Sequence, residues 1–316
     1  MTTVGGQPDE HLRDGLRPGV WGVLTTPFRG PDAEVDLGSA ARQAHAYREW
    51  GVDGLTVLGV FGESAQLSNA ERRQVLEVVA DARGDLPLVV GVNALATAPA
   101  LEEIENVGEL VRRTGAAVMV QVNSADPQVL AAHLRRLHAA TGVSMVVQDY
   151  PAASGVRIAT RELAAVVADT AGVVAVKSES SPSPPAVATL TATVRVPVFG
   201  GLGGTCLLDE LAVGAAGAMT GFSVPQGLLA CVRAYARGGY PAAREAWLAY
   251  LPLVNFEFQP GIALRLRKES LRLRGVIDEA VVRAPAPPVG EAVLDVLHRH
   301  LAATPYGGPG RPVASS

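Results

Sequence analysis

Lysine is rare in this sequence, and one lysine lies where it could act as a nucleophile. Of the 27 basic residues only two, Lys177 and Lys268, are lysines. Lys177 ends the apolar run Val-Val-Ala-Val, and period-two alternation predicts that Val173, Ala175 and Lys177 share one face of a buried strand. A desolvated ammonium can lose its proton near neutral pH, whereas a guanidinium cannot. The free amine could attack a ketone and form an iminium, which promotes making or breaking of an adjacent C–C bond.

Structural roles are the alternative for both lysines. Lys177 could instead reach solvent or pair with Glu179, two residues further along the chain. Lys268 lies among the arginines of a segment that ends at Gly275, and we expect it on an exposed helix without a special role. Charge runs of this kind usually form a solvated face or a subunit contact.

Short apolar runs alternate with longer segments of helical period, and this pattern predicts the elements that position Lys177. We predict eight strands, at residues 20–25, 54–58, 86–92, 117–122, 143–148, 173–177, 196–199 and 218–220. Eight parallel strands, each followed by a helix, close most naturally into an α/β fold, the (β/α)8 TIM barrel. Lys177 then lies at the carboxyl end of the sixth strand, where active sites of this fold are built.

The predicted organisation has four parts: a flexible tail over residues 1–17, the barrel over 18–239, a C-terminal helical region over 240–303 and a disordered tail over 304–316. Within the helical region we predict helices around 241–256, 262–274 and 289–302. Ser68 followed by Glu71 predicts a capping box at the start of one barrel helix.

Composition excludes several classes of protein. Apolar residues make up 48% of the chain and charged residues 18%, which suits a sheet buried on both faces. The net charge is −4 and no basic cluster is interleaved with aromatics, so we expect no nucleic-acid partner. No apolar run approaches the roughly 18 residues of a membrane helix, and no secretory signal is recognisable. We therefore expect a cytoplasmic protein without a membrane partner.

Neither cysteine nor histidine forms a pattern that predicts a metal site. Cys206 and Cys231 lack metal-ligand spacing and are expected in the core of a reduced protein. The six histidines fall on predicted helices or in the tail, away from the strand ends. Of these, His133 and His138 are expected on the surface of the fourth barrel helix. No metal is therefore predicted.

Four landmarks resemble those of the dihydrodipicolinate synthase and N-acetylneuraminate lyase superfamily, in order and spacing, over about residues 19–303. They are Thr26-Pro27-Phe28 after the first strand, Gly59-Val60-Phe61-Gly62-Glu63 after the second, Pro151 after the fifth, and Lys177. The resemblance implies an enzyme that forms a Schiff base with pyruvate or another 2-oxo acid and joins it to, or releases, an aldehyde. It also implies no cofactor beyond the covalent lysine imine, and a homodimer or homotetramer.

The residues that relay protons in this family are replaced here. Gln148 stands where the family carries a tyrosine, and glutamine cannot exchange a proton at neutral pH. Tyr150 leans to the same side as Gln148 by alternation, and we predict that it takes over part of the relay. The family's second tyrosine, after the fourth strand, has no counterpart, and Ser124 or Asn123 is a candidate to hold water there.

The predicted substrate-binding residues surround Lys177. Amides of the turn from Gly59 to Gly62 could hold a carboxylate, although a simple turn is the alternative. Val60 and Phe61 replace the family's hydroxyl residues, and the turn resembles that of the aromatic hydratase-aldolases of the same superfamily. An apolar or aromatic side chain in the pocket favours a less polar substrate. The alternative is that Phe61 only packs the barrel mouth. The glycine-rich loop after the seventh strand either contacts the ligand or forms a plain turn. The predicted binding set is Thr26, Gly59, Val60, Phe61, Gly62, Glu63, Ser124, Gly201, Gly203 and Thr220.

Three functions are consistent with these residues. The first is a class I aldolase or lyase that acts next to a 2-oxo acid held by Lys177. The second is a dehydratase of a 2-keto-3-deoxy sugar acid that uses the same imine, against which the apolar pair Val60 and Phe61 argues mildly. The third is a non-catalytic barrel that binds a 2-oxo acid. Dihydrodipicolinate synthesis is rejected because the resemblance places the arginine for the distal carboxylate near Ala153, where none is present.

Overall fold

Eight parallel strands form a closed barrel in the computed structural model, which describes residues 15–306. The strands are β1 (Gly19–Val23), β2 (Gly54–Val57), β3 (Leu88–Val92), β4 (Ala117–Gln121), β5 (Met145–Asp149), β6 (Val173–Ser178), β7 (Val198–Gly200) and β8 (Gly217–Thr220). Each strand pairs with the next along the chain, and β8 pairs with β1 to close the ring. The predicted TIM barrel is confirmed. Of the two predicted tails, residues 1–14 and 307–316 lie outside the described residues.

The barrel is filled by side chains, and its strands are buried on both faces. An inner cluster includes Trp21, Met119, Phe199 and Met219. The rings of Trp21 and Phe199 meet edge to face with their centroids 6.3 Å apart. A larger outer cluster joins the other strand faces to the helices. This burial on two sides explains why the strands are continuous apolar runs in the sequence.

A β-bulge changes which residues of β6 face inward. Strand β5 pairs with Val173 and next with Ala175, so Val174 is an extra residue in the ladder. Val174 and Ala175 both pack inside the barrel, whereas Val173 and Val176 pack in the outer layer. The prediction that Val173 and Ala175 share a face was wrong, because simple alternation cannot register an inserted residue. Lys177 nonetheless faces the interior, where it lines a cavity.

The helices surround the barrel and continue beyond it. They are α1 (Leu37–Glu49), α2 (Asn69–Ala82), α3 (Thr97–Thr114), α4 (Pro127–Thr141), α5 (Pro151–Ser154), α6 (Thr160–Ala168), α7 (Ser183–Thr191), α8 (Leu207–Ala212), α9 (Pro225–Leu248), α10 (Leu251–Glu257), α11 (Ala263–Leu273) and α12 (Glu291–Ala302). Ser68 and Glu71 form the predicted capping box at the start of α2. Helix α9 is interrupted by non-helical backbone at Gly238 and Gly239. None of the helices within residues 15–306 has the length and apolarity needed to cross a membrane.

Helix α11 is buried on most of its surface, which corrects the prediction of an exposed basic face. Its residues from Leu266 to Leu271 are all buried, and Lys268 is fully inaccessible. The Lys268 ammonium pairs with Glu63, donates to the carbonyl oxygen of Val281 at 2.8 Å and lies 4.3 Å from the centroid of the Phe28 ring. The expectation that Lys268 needs no special account was therefore wrong. It joins α11 to two of the landmark segments.

His133 was also misplaced by the sequence pattern. The imidazole is 3% exposed, and its Nδ1 atom lies 2.9 Å from the Thr97 hydroxyl oxygen, so it is a buried contact between α3 and α4. His138 is half-buried, with its Nδ1 atom 2.9 Å from the carbonyl oxygen of Val143. The prediction of a surface position was wrong for His133, because α4 packs a second helix there.

Candidate active site

A cavity of about 600 Å³ opens at the carboxyl ends of the barrel strands, and Lys177 lies in its wall. Lys177 belongs to β6 and is 5% exposed. Strands β1, β4 and β8 contribute Val23, Met119 and Thr220 to the lining of the same cavity. The C-terminal helical region covers another side through residues 258, 260, 261, 263, 264 and 267. The cavity therefore places a buried amine among mainly apolar side chains, with one side provided from outside the barrel.

Glu179 is the direct partner of Lys177. Its Oε2 atom lies 3.1 Å from the Lys177 Nζ atom, and both side chains are 7% exposed. The same carboxylate accepts hydrogen bonds from the Gln148 amide at 2.6 Å and from the Leu202 backbone N–H at 3.1 Å. These two donors hold the carboxylate beside the amine, in a position to accept or return its proton.

Gln148 and Tyr150 both line the cavity, as predicted from β5. Gln148 is the ladder partner of Lys177 across β5 and β6. Tyr150 is half-buried at the start of α5. Burial, and secondly the negative charge of Glu179, raise the pKa of Tyr150 above its usual value. The phenol therefore keeps its proton at neutral pH and is available as a hydrogen-bond donor.

The turn after β2 presents only part of its residues to the cavity. Gly59, Val60 and Phe61 line the cavity, with Val60 at 41% exposure. Glu63, in a left-handed conformation with φ of 51°, directs its carboxylate to Lys268 and accepts a hydrogen bond from the backbone N–H of Arg283 at 2.8 Å.

Thr26 and Gly62, also predicted as binding residues, lie outside the lining. The Thr26 hydroxyl donates to the carbonyl oxygen of Gly62 at 2.6 Å. Thr26, Gly62 and Glu63 are therefore placed to hold the turn, while its other residues face the cavity.

The glycine-rich loop after β7 makes room for charged side chains of the protein itself. A Cβ atom at Gly201 would collide with the Glu179 side chain, and one at Gly203 would collide with the Arg267 guanidinium and Phe258. Gly203 also has φ of +68°, which favours glycine, and its N–H donates to the Thr220 hydroxyl at 2.9 Å. Gly203 lines the cavity, whereas Gly201 does not.

Eight of the predicted site residues line this one cavity: Lys177, Tyr150, Gln148, Gly59, Val60, Phe61, Gly203 and Thr220. The other five lie outside its lining: Thr26, Gly62, Glu63, Ser124 and Gly201. Ser124 instead accepts a hydrogen bond from the Asp126 N–H at 3.1 Å, close to the start of α4. Cys206, expected in the core, is half-buried and lines the cavity, so that expectation was wrong; Cys231 is buried.

Charged and aromatic groups that the sequence did not identify as site residues complete the lining. They include Glu179, Arg157, Arg267 and Phe258. Alternation from Lys177 was a signal for Glu179, because residues two apart in a strand share a face. Arg267 and Phe258 carry no such signal, since they come from the C-terminal helical region, which follows the barrel in the chain.

Two buried acids lie next to the residues that surround the amine. Burial and the charge of Glu179 raise the pKa of Asp149 to about 6, and both of its carboxylate oxygens lack a hydrogen-bond partner within residues 15–306. Burial raises the pKa of Glu210 to about 7, although a hydrogen bond from Ser183 opposes this shift. The protein therefore carries two carboxyl groups that gain charge unusually close to neutral pH.

A buried lysine at the carboxyl end of the sixth strand places the chain among TIM barrels with an amine in the active-site position, and comparison with known proteins identifies the family. The family model described as the dihydrodipicolinate synthetase family matches residues 17–304. The chain belongs to this family.

Named relatives within the family differ in activity. A 4-hydroxy-tetrahydrodipicolinate synthase of Kineococcus radiotolerans is 33% identical over 91% of this chain and 94% of its own. An L-2-keto-3-deoxyarabonate dehydratase of Azospirillum brasilense is 30% identical over 85% of this chain and 88% of its own. The solved dihydrodipicolinate synthase of Rhodopseudomonas palustris aligns with a TM-score of 0.83 and 28% identity, over 91% of this chain and 99% of its own.

Proposed function

We propose that this protein is a class I lyase in which Lys177 forms an imine with pyruvate or another 2-oxo acid and a C–C bond next to that carbon is made or broken. The observation that carries the proposal is the buried Lys177 amine in a cavity wall, 3.1 Å from the Glu179 carboxylate. An amine nucleophile beside a base is the arrangement that lysine-based covalent catalysis needs. Membership of a family with named lyase relatives supports it.

In this proposal Glu179 carries the protons of imine formation. The Lys177 amine attacks the keto carbon and its N–H proton passes to Glu179, while the keto oxygen takes a proton from Tyr150 and becomes the hydroxyl of a carbinolamine. Return of the proton from Glu179 to this hydroxyl lets it leave as water and gives the iminium, and Tyr150 regains its proton from solvent. Gln148 holds Glu179 through its amide, which gives it a positioning role instead of a proton-transfer role.

The iminium then acts as the electron sink for the bond change. Loss of a C3 proton to a cavity base gives an enamine, whose C3 attacks the carbonyl carbon of an aldehyde; the aldehyde oxygen takes a proton and becomes a hydroxyl. Hydrolysis of the iminium releases the product and the free amine. In the reverse direction the same steps release the aldehyde. The N–H groups of Val60 and Phe61, at the start of a short helical turn in the cavity wall, are our candidates to bind the 2-oxo acid carboxylate.

We further propose that the activity is not dihydrodipicolinate synthesis, because of two replacements on β5 and after it. Gln148 stands in the position of the family's relay tyrosine and Ala153 in that of its distal-carboxylate arginine. An assay for 4-hydroxy-tetrahydrodipicolinate formation checks this exclusion. Turnover at a rate typical of enzymes would contradict it.

Dehydration of a 2-keto-3-deoxy sugar acid is the second candidate, favoured by the 30% identity to the arabonate dehydratase over most of both chains. The same iminium would lose a C3 proton to Glu179 and then expel the C4 hydroxyl as water. Loss of water from 2-keto-3-deoxyarabonate without C–C cleavage would select this candidate over the aldolase.

Borohydride reduction in the presence of pyruvate, followed by peptide mass mapping, tests the shared first step. We expect a reduced pyruvate adduct on the peptide of Lys177 and none on that of Lys268, because Lys268 is enclosed by Glu63, Phe28 and Val281. A Lys177→Met variant should give no adduct. Absence of any Lys177 adduct with a panel of 2-oxo acids would overturn both enzyme candidates, whereas an adduct without turnover of any substrate would favour the 2-oxo-acid-binding barrel.

A further inference from the structure

Arg267 reaches the cavity from α11 and is poorly paired there. Its side chain is 8% exposed and lines the same cavity as Lys177. Its Nε and Nη2 atoms are buried and make no hydrogen bond with any residue of the described range 15–306. Its ion-pair contact is with Glu257, whose Oε2 atom lies 3.8 Å from the Arg267 Nε atom.

Glu257 is already engaged by other donors. The carboxylate is fully buried and accepts hydrogen bonds from the N–H and hydroxyl of Ser223 and from the Ser270 hydroxyl, the last at 2.8 Å. Arg267 has five N–H donors and keeps its charge in proteins, so one long contact leaves most of its hydrogen-bonding capacity unused. Unsatisfied charged donors in a buried place are costly, which points to a ligand that satisfies them.

The guanidinium is packed between the Phe61 ring and Gly203. It lies 5.2 Å from the centroid of the Phe61 ring, and its Nη2 atom occupies the space that a Cβ atom at Gly203 would need. The Phe258 ring also lies against Gly203, 3.0 Å from the position of such a Cβ atom. A cation fixed in this way loses little freedom when an anion binds, so its geometry is prepared for recognition.

We propose that Arg267 binds an anionic group, by preference a carboxylate, at the end of the substrate remote from the carbon that Lys177 attacks. This inference rests on the function proposed above. A carboxylate matches the planar fork of a guanidinium and can accept two parallel hydrogen bonds from it. Leu202, Phe258 and Leu264 line the same cavity, so apolar side chains are available to contact the carbon chain of such a substrate.

Trapping with matched 2-oxo acids tests the proposal in the full-length protein. The probes are 2-oxoglutarate and 2-oxoadipate, which carry a terminal carboxylate, against 2-oxovalerate and 2-oxohexanoate, which do not, with pyruvate as reference. In the wild type we expect at least one dicarboxylate to reach half-maximal borohydride trapping on Lys177 at about 10- to 100-fold lower concentration than its monocarboxylate counterpart.

Arg267→Met should abolish this preference and leave the pyruvate concentration for half-maximal trapping unchanged. Arg267→Lys keeps the charge but not the fork and should retain a smaller preference. Arg272→Met is the matched control, because Arg272 lies on the same helix but pairs with Glu269 outside the cavity lining. Circular dichroism checks that each variant is folded.

The proposal is overturned if the wild type shows no preference for either dicarboxylate, a result that does not depend on any variant folding. It is also overturned if the preference survives in Arg267→Met. An equal weakening of pyruvate trapping in Arg267→Met would assign Arg267 to the carboxylate of the 2-oxo acid itself and contradict the remote position. Complete absence of a Lys177 adduct in the wild type would instead remove the proposed function on which the inference rests.

Discussion

Asp149 ends β5 beside the residues that hold the Lys177 amine, and its replacement by asparagine should stabilise the folded protein above pH 6 but not at pH 4. Both Asp149 carboxylate oxygens are buried without a hydrogen-bond partner in the described chain, residues 15–306. Burial, followed by the negative charge of Glu179, raises the pKa of Asp149 from 3.8 to about 6. The folded state therefore holds a proton over a pH range in which the unfolded chain has already lost it.

The sign and size of the effect follow from this difference. Below pH 3.8 both states are protonated and Asp149 carries no penalty. As the pH rises to about 6 the folded state loses stability, and above that value the full penalty of a buried charge persists. The difference between the two pKa values corresponds to at most about 3 kcal/mol. Asp149→Asn removes this stability penalty, because an amide does not ionise.

Guanidinium chloride unfolding at about pH 4, 6 and 8 measures the prediction. We expect similar midpoints for the wild type and Asp149→Asn at the lowest pH, where Asp149 of the unfolded chain is only partly ionised, and a higher midpoint for the variant at the highest. Glu210→Gln is the control for specificity, because the pKa of Glu210 is raised from 4.5 to about 7 and its penalty should develop through this higher range. If Asp149→Asn kept the pH dependence of the wild type, the assignment of a buried, unpaired carboxylate would be wrong.

Three further predictions concern the amine and its surroundings. Glu179→Gln should slow imine formation with pyruvate by about 10²- to 10⁴-fold in a quenched borohydride assay, because an amide cannot take the Lys177 proton, whereas the control Glu210→Gln should not. Tyr150→Phe should slow the same step by about tenfold or more, and an unchanged rate would remove Tyr150 from the relay. Lys268→Met should lower the unfolding free energy by about 3–5 kcal/mol because it leaves Glu63 buried without its cation; an unchanged denaturation midpoint would refute this.

Much of the fold and one part of the site followed from the sequence. Each barrel strand is a short run whose apolar character is a local property, and the capping box of Ser68 and Glu71 lies within four consecutive residues. Lys177 was recognisable because lysine is rare in this chain and lies at the end of such a run. Gln148, Val60 and Phe61 were singled out by the family resemblance, Tyr150 by its alternation with Gln148, and all four line the cavity.

The partners of these residues were decided by tertiary structure. The run around Lys268 was interpreted as an exposed basic face, because its sequence does not contain the information that α11 packs against the barrel mouth. Only that packing brings Lys268 to Glu63 and Arg267 to Gly203, pairs more than 60 residues apart in the chain. The bulge at Val174 also depends on a neighbouring strand.

The two lysines therefore separate what sequence and tertiary structure each determine. Local periodicity and composition placed Lys177 at the end of a buried strand, since strand burial is encoded in adjacent residues. Whether a charged side chain is paired, enclosed or open to a ligand depends on groups contributed by distant segments. For Glu179, Arg267 and Lys268 that environment exists only once the barrel has closed and α11 has packed against it.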